Sequence, residues 1–261
     1  MNTSINGLQV YSAGDPENNA IIFIHGFPFD ASTWQKQVEA LKDNFFCITY
    51  DARGLGASEV GDGQFTMEMF VDDLVSVLNS QNVVKAALCG LSMGGYIALR
   101  AVEREGGRFT KLILCDTRAD ADDNAGKLKR SANVKKINEV GAAKFVEDFL
   151  PICVADSFRE NNAAEFDALV KRFSATSAAG LKGCQIMMMS RNDMTGLLPK
   201  IEVPVLVVCG EKDAFSPPAI MKSMAEQISG SRFVVVPEAG HLSPIENPEF
   251  VNREIRAFLS A

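Results

Sequence analysis

Ser92 stands in the string Gly90-Leu91-Ser92-Met93-Gly94-Gly95, which follows an apolar run ending at Cys89 and opens a helical stretch continuing through Tyr96 to Arg100. A serine between a strand and a helix must turn the backbone sharply, and the turn leaves its hydroxyl exposed. Glycines at 90 and 94 leave room where neighbouring backbone has to approach. The first N–H groups of the following helix favour negative charge developing on a substrate oxygen. A serine hydroxyl needs a general base to act as a nucleophile at neutral pH, and the chain holds only two histidines, His25 and His241. Both follow apolar runs. His241 sits in Glu238-Ala239-Gly240-His241, where Gly240 frees the loop to aim the ring, whereas His25 immediately precedes the turn Gly26-Phe27-Pro28 and is better placed to shape a loop. The acid that orients the imidazole should also close a strand. Asp213, in Gly210-Glu211-Lys212-Asp213, fits that position, with Asp116 and Glu211 as competitors. The chemistry would be two-step acyl transfer, with Ser92 attacking a carbonyl, His241 accepting and returning the proton, and Asp213 fixing the tautomer of His241. Histidine ordinarily changes charge between about pH 5 and 8, so the rate should fall on acidification.

Positioning these groups requires elements that bring distant segments to one edge. Apolar runs rich in Val, Ile and Leu recur at 20–24, 45–50, 84–89, 111–115, 203–209 and 233–236, with a weaker edge strand at 8–11. They are apolar on both faces, as strands of a covered parallel sheet are. Between them lie helical patterns. Trp34, Val38 and Leu41 share a face, and Phe70, Val71, Leu74, Val77 and Leu78 share another after Thr66, a candidate N-cap. Ser216-Pro217 and Asn247-Pro248 each read as a capping side chain before a first-turn proline. Strand–helix alternation implies an α/β fold with a mostly parallel sheet and helices on both faces. Residues 118–199 break the alternation with helical segments at 142–150, 160–174 and 181–189. The division expected is a core of 1–117 and 200–261 with 118–199 inserted as a helical cap where ligands of open α/β sheets bind.

The composition, 47% hydrophobic and 23% charged over 261 residues, suits one globular unit with a large core. A net charge of −7 argues against nucleic acid or an anionic membrane as a partner. The densest basic run, Lys127-Leu128-Lys129-Arg130, reads as a solvated helix face. Residues 1–14 carry no basic and apolar signal pattern, no run is long enough to span a bilayer, and none of the six cysteines forms a C-x-x-C pair, so a cytoplasmic protein with reduced thiols is expected. The Asp51-Ala52-Arg53-Gly54-Leu55-Gly56-Ala57-Ser58 loop lacks the third glycine of a nucleotide fingerprint and reads as a scaffold tying turns together. Met187-Met188-Met189 is expected mainly in the core, and Phe27 is the aromatic side chain best placed to touch substrate.

The order Ser92, Asp213, His241, together with His25-Gly26-Phe27-Pro28, the 51–58 loop, Gly90-Leu91-Ser92-Met93-Gly94-Gly95, Gly210-Glu211-Lys212-Asp213 and Gly240-His241, resembles the α/β-hydrolase superfamily from Leu8 to Leu259. The similarity is to its small cap-bearing esterases, lactonases such as 3-oxoadipate enol-lactonase, and cofactor-free perhydrolases. That resemblance implies an oxyanion hole made by the backbone N–H groups of Phe27 and Met93, no metal and no organic cofactor. The substrate it implies is a small ester or lactone with an apolar acyl or alcohol part. Carbon–carbon bond hydrolysis of a ring-cleavage diketone, perhydrolysis, and a ligand receptor on the same scaffold are the alternatives it leaves open. It leaves the oligomeric state open as well.

Overall fold

A computed structural model describes residues 2–261. Its strands are β1 (Asn2–Ile5), β2 (Leu8–Ala13), β3 (Ala20–Ile24), β4 (Phe46–Tyr50), β5 (Ala86–Leu91), β6 (Phe109–Cys115), β7 (Val205–Gly210) and β8 (Arg232–Val236). They form one sheet in the order β1-β2-β4-β3-β5-β6-β7-β8, antiparallel at β1, β2 and β4 and parallel from β4 to β8. Every residue of β4, β5 and β7 is buried, as the two-sided apolar runs require. The expected strands all form, with ends displaced by up to two residues, but β2, expected at the edge, lies between β1 and β4. β1 is an addition. It pairs with β2 through Asn6-Gly7, both at positive φ (50° and 79°), the turn an Asn-Gly dipeptide is built for.

Helices α1 (Gln35–Leu41), α2 (Met67–Ser80) and α3 (Met93–Glu105) lie between successive strands. Thr66 caps α2 by accepting the Met69 N–H, as expected. The segment between β6 and β7 holds α4 (Asn124–Cys153), α5 (Asp156–Asn161), α6 (Ala163–Phe173) and α7 (Ala178–Met189) and no strand. α4 is two helices joined across Gly141, whose φ of 84° interrupts it. The single helix expected over 160–174 is split at Asn162, where φ is −128°. The chain closes with α8 (Pro218–Glu226), α9 (Ser243–Glu246) and α10 (Pro248–Ser260). Asn247 caps α10 as expected, accepting the Phe250 N–H, but Pro217 rather than Ser216 occupies the N-cap of α8. The Ser216 hydroxyl is committed elsewhere. α1 packs on α10 and α2 on α3, and these groups cover the sheet. Burying one Ile or Leu contributes roughly 1.5–3 kcal/mol, and Ile21 to Ile24, Leu88 and Leu112 to Leu114 are all fully buried. The result is a rigid parallel floor whose strand ends are level: Gly90 registers with Leu114, Leu114 with Val207, and Gly210 with Val236.

Candidate active site

Three of those level strand ends carry the expected reactive groups. Ser92 follows β5 with φ 52° and ψ −113°, a strained conformation for a side-chain-bearing residue. Its N–H donates to Cys115 O (2.9 Å), and its carbonyl accepts from Thr117 Oγ1 (2.7 Å), so the β6 end holds the turn in place. The glycines act as read from the sequence. A Cβ on Gly90 would sit 2.3 Å from Gly94 O, and one on Gly94 would sit 2.2 Å from Ile24 O. The Ser92 hydroxyl makes no capping bond to α3 and is left for another partner.

That partner is His241, whose Nε2 lies 2.8 Å from Ser92 Oγ. Its Nδ1 lies 2.9 Å from Asp213 Oδ2. An ionised carboxylate can only accept, so Nδ1 carries the proton and the Nε2 lone pair faces the serine. Burial by itself would raise the Asp213 pKa. The positive charge available on His241 and hydrogen bonds from His241, the Ser216 hydroxyl and the Ser216 backbone outweigh it and hold the carboxyl at about 2. Phe215 N adds a 2.8 Å bond, and Ser216 Oγ a 2.6 Å one, which is where the misassigned cap goes.

The other candidates fall elsewhere. His25 is fully buried. Its Nε2 accepts the Ala52 N–H (2.9 Å), so Nδ1–H donates to Gly26 O (2.8 Å); both nitrogens are used in bracing the loop, and burial depresses its pKa. Asp116 bonds Gly210 N and Ser243 Oγ, and Glu211 bonds Glu238 N; neither carboxylate meets His241. Asp51 accepts from the Ala31 and Ala57 amides and Tyr11 Oη, while Arg53 grips Asp73 through two 2.6 Å bonds, the scaffold role expected of that loop.

The His25-Gly26-Phe27 turn lies against the serine, since a Cβ on Gly26 would be 3.2 Å from Ser92 Cβ. The Phe27 and Met93 amides, both on buried residues, stand outside the backbone hydrogen bonds that tie down their neighbours. Above Ser92 and His241 is a cavity of about 200 Å³, walled by Phe27, Tyr96, Phe149, Met188 and Phe215. Of the methionine run, Met187 and Met188 are buried and Met188 alone reaches the cavity.

Sequence reasoning missed the polar half of this wall. Arg118, Asp122, Lys129, Arg130 and Asn133 line it; Lys127, Leu128 and Lys129 are exposed, as expected of a solvated face, but Lys129 and the half-buried Arg130 also border the cavity. Arg118 is paired with Asp120, and Arg130 with Asp122, which also meets Arg191. Lys129 has no carboxylate partner among the described residues and stands 5.7 Å from the Phe215 ring centroid. Glu246 was also missed. Its carboxylate accepts from Ala155 N, Gly240 N and Leu242 N (2.8, 2.9 and 3.1 Å), fastening the His241 loop to the helical insertion. Nothing in the local sequence marks it, because its partners are backbone amides.

Known proteins resemble this chain over nearly its whole length. Residues 19–248 match the family model described as alpha/beta hydrolase fold. The chain is 30% identical over 236 residues to 3-oxoadipate enol-lactonase 1 of Acinetobacter baylyi, covering 90% of this chain and 86% of that protein. It superposes on a thermophilic esterase from Thermogutta terrifontis with a TM-score of 0.94 at 35% identity, over 100% of this chain and 98% of the other. The enol-lactonase from Burkholderia xenovorans gives a TM-score of 0.91 at 26% identity, with both chains covered completely.

Proposed function

The chain belongs to the α/β-hydrolase fold family, and we propose that within it the protein is a serine hydrolase that cleaves small carboxylic esters or lactones through an acyl-enzyme. One observation carries the reading: a strained serine hydroxyl, an imidazole and a buried ionised carboxylate stand in a single hydrogen-bonded line. Ser92 Oγ attacks the carbonyl carbon as its proton passes to His241 Nε2. Asp213 stabilises the imidazolium that forms. The Phe27 and Met93 amides receive the oxyanion, a contribution worth about 2.7–4 kcal/mol per donor. His241 then protonates the departing alkoxide. Water, deprotonated by the same nitrogen, releases the acid and restores Ser92. In a lactone the departing alkoxide stays tethered to the acyl group, and the ring opens.

Residues 118–199 serve as the cap, supplying Lys129, Arg130, Phe149 and Met188 to the cavity wall. The lining favours a more specific substrate than an apolar ester. A protein of net charge −7 gathers Arg118, Lys129 and Arg130 against the single acid Asp122 in the cavity that holds its nucleophile, and leaves Lys129 without a carboxylate partner among the described residues. A substrate bearing a carboxylate away from the scissile carbonyl supplies that counter-ion, in keeping with relatives named for a lactone of 3-oxoadipate. The small-molecule substrate is the only partner the reading requires, and six free, buried cysteines support a cytoplasmic setting. No described helix is long and apolar enough to cross a membrane.

A fluorophosphonate probe followed by peptide mass mapping tests the nucleophile. The reading expects one adduct, on Ser92, and its loss in Ser92→Ala. An adduct on another serine, or none in active protein, refutes it.

A further inference from the structure

Asp116 follows the last residue of β6, is completely buried and takes no part in the steps above. Its backbone φ is 45°, and its N–H is anchored on Val208 O at 2.9 Å. The carboxyl group reaches in two directions. Oδ1 accepts the Gly210 N–H at 2.7 Å, and Oδ2 lies 2.5 Å from Ser243 Oγ. Gly210 is the last residue of β7, three before Asp213, and Ser243 is two residues after His241. One buried group therefore ties together the two backbones that carry the acid and the imidazole.

The same group faces the Asp213 carboxylate and the Cys115 and Cys209 thiols. Ligand atoms of Asp116, Cys209 and Asp213 lie within 4.8 Å of one another. The cluster does not suit a cation, because N–H groups of Gly210, Phe215 and Ser216 already point at its oxygens. Two carboxylates so close in a dry interior cannot both be ionised. Asp213 receives donors from His241, Phe215 and Ser216 and keeps the charge, and Asp116 keeps the proton. Burial and the Asp213 charge push Asp116 well above the usual carboxyl range, in the same direction. The Gly210 N–H donates to Oδ1 and the Ser243 hydroxyl to Oδ2, and burial with the Asp213 charge outweighs both bonds in keeping the group protonated.

We propose that Asp116 is a positioning residue: an uncharged carboxyl that clamps the Asp213 loop to the His241 loop and so holds the imidazole in register with Ser92. This rests on the reading of Ser92, His241 and Asp213 as the reacting groups. An asparagine is the isostere of a neutral aspartic acid. Its carbonyl can accept from Gly210 N, and its amide can donate to Ser243 Oγ.

The test is steady-state hydrolysis of p-nitrophenyl acetate from about pH 4 to 9 by Asp116→Asn, Asp116→Ala and Ser243→Ala, with thermal melting alongside. Asp116→Asn is expected to keep kcat within about threefold, with the acid limb of the pH profile unmoved. Asp116→Ala is expected to lower kcat about tenfold to a hundredfold at little-changed KM, and Ser243→Ala to fall between. If the alanine variant does not fold, the other two decide. The proposal is overturned if Asp116→Asn loses as much as alanine. A shift of its acid limb toward lower pH by more than about half a unit does the same, because either result means an anion was removed. Full activity of Asp116→Ala also overturns it. Full activity of Asp213→Asn would overturn the underlying assignment instead, so the two failures are distinguishable.

Discussion

His241 Nε2 stands 2.8 Å from Ser92 Oγ although 149 residues separate them in the chain. The contact exists because β5 and β8 end at the same rim of a parallel sheet, and because Asp213 and Glu246 fix the ring and its loop from behind. Each of these supports can be removed singly.

Asp213→Asn leaves the shape of the site intact but presents an amide N–H₂ or an uncharged oxygen to Nδ1. The favoured arrangement then protonates Nε2, which no longer accepts from Ser92. We expect kcat to fall by about 10³–10⁴ with a small change in KM. Steady-state kinetics on p-nitrophenyl acetate measure it, and a loss below about tenfold would remove Asp213 from its role.

The pH profile separates the two titrating partners. Asp213 is held at about 2 against an ordinary 3.8. A lowered carboxyl stabilises the fold above its unfolded value and surrenders that stability only as pH falls through the folded one, here between about 4 and about 2. Above about pH 4 it therefore stays ionised and adds no proton to the decline of kcat/KM on acidification. The limb should have a slope of about one. A slope of about two between pH 4 and 7 would show a second essential proton.

Glu246→Gln removes one of two acceptor oxygens that serve three amides, those of Ala155, Gly240 and Leu242. A partly buried N–H left unpaired costs about 1–3 kcal/mol. The melting temperature should drop by several degrees, and kcat should fall because Gly240 and Leu242 flank His241. Unchanged melting and unchanged kcat would show that the loop's other ties, among them the His241 N–H to Cys153 O bond (2.9 Å) and the Ser243–Asp116 bond, hold it without Glu246.

Lys129→Met tests the charge of the substrate. For a p-nitrophenyl half-ester of glutarate, KM should rise about fivefold to thirtyfold, corresponding to loss of about 1–2 kcal/mol from one charge-assisted contact. For p-nitrophenyl valerate it should not change. Added salt should erode the difference in the parent protein. Equal effects on both esters would assign Lys129 to packing over Phe215.

Much of this was legible in the chain. The two-sided apolar runs marked the sheet, and the strand–turn–helix context of Ser92 singled it out from the other serines. The scarcity of histidine narrowed the base to two residues, and the turn beside His25 separated them. What escaped depended on distance in space. β1 has too few apolar residues to register, although Asn6-Gly7 signalled its hairpin. Ser216 reads as a cap because Ser-Pro usually is one, yet its hydroxyl is drawn to Asp213. Lys129 looks like surface until α4 is laid over the cavity, and Glu246 acts on amides that carry no sequence signature.

The most direct measurement is the rate of p-nitrophenyl acetate hydrolysis by Ser92→Ala beside the parent, both shown folded by their melting curves. The account predicts a loss of about 10³-fold or more, since the oxyanion donors and base survive but the nucleophile is gone. Hydrolysis by the alanine variant at the parent's rate would contradict it.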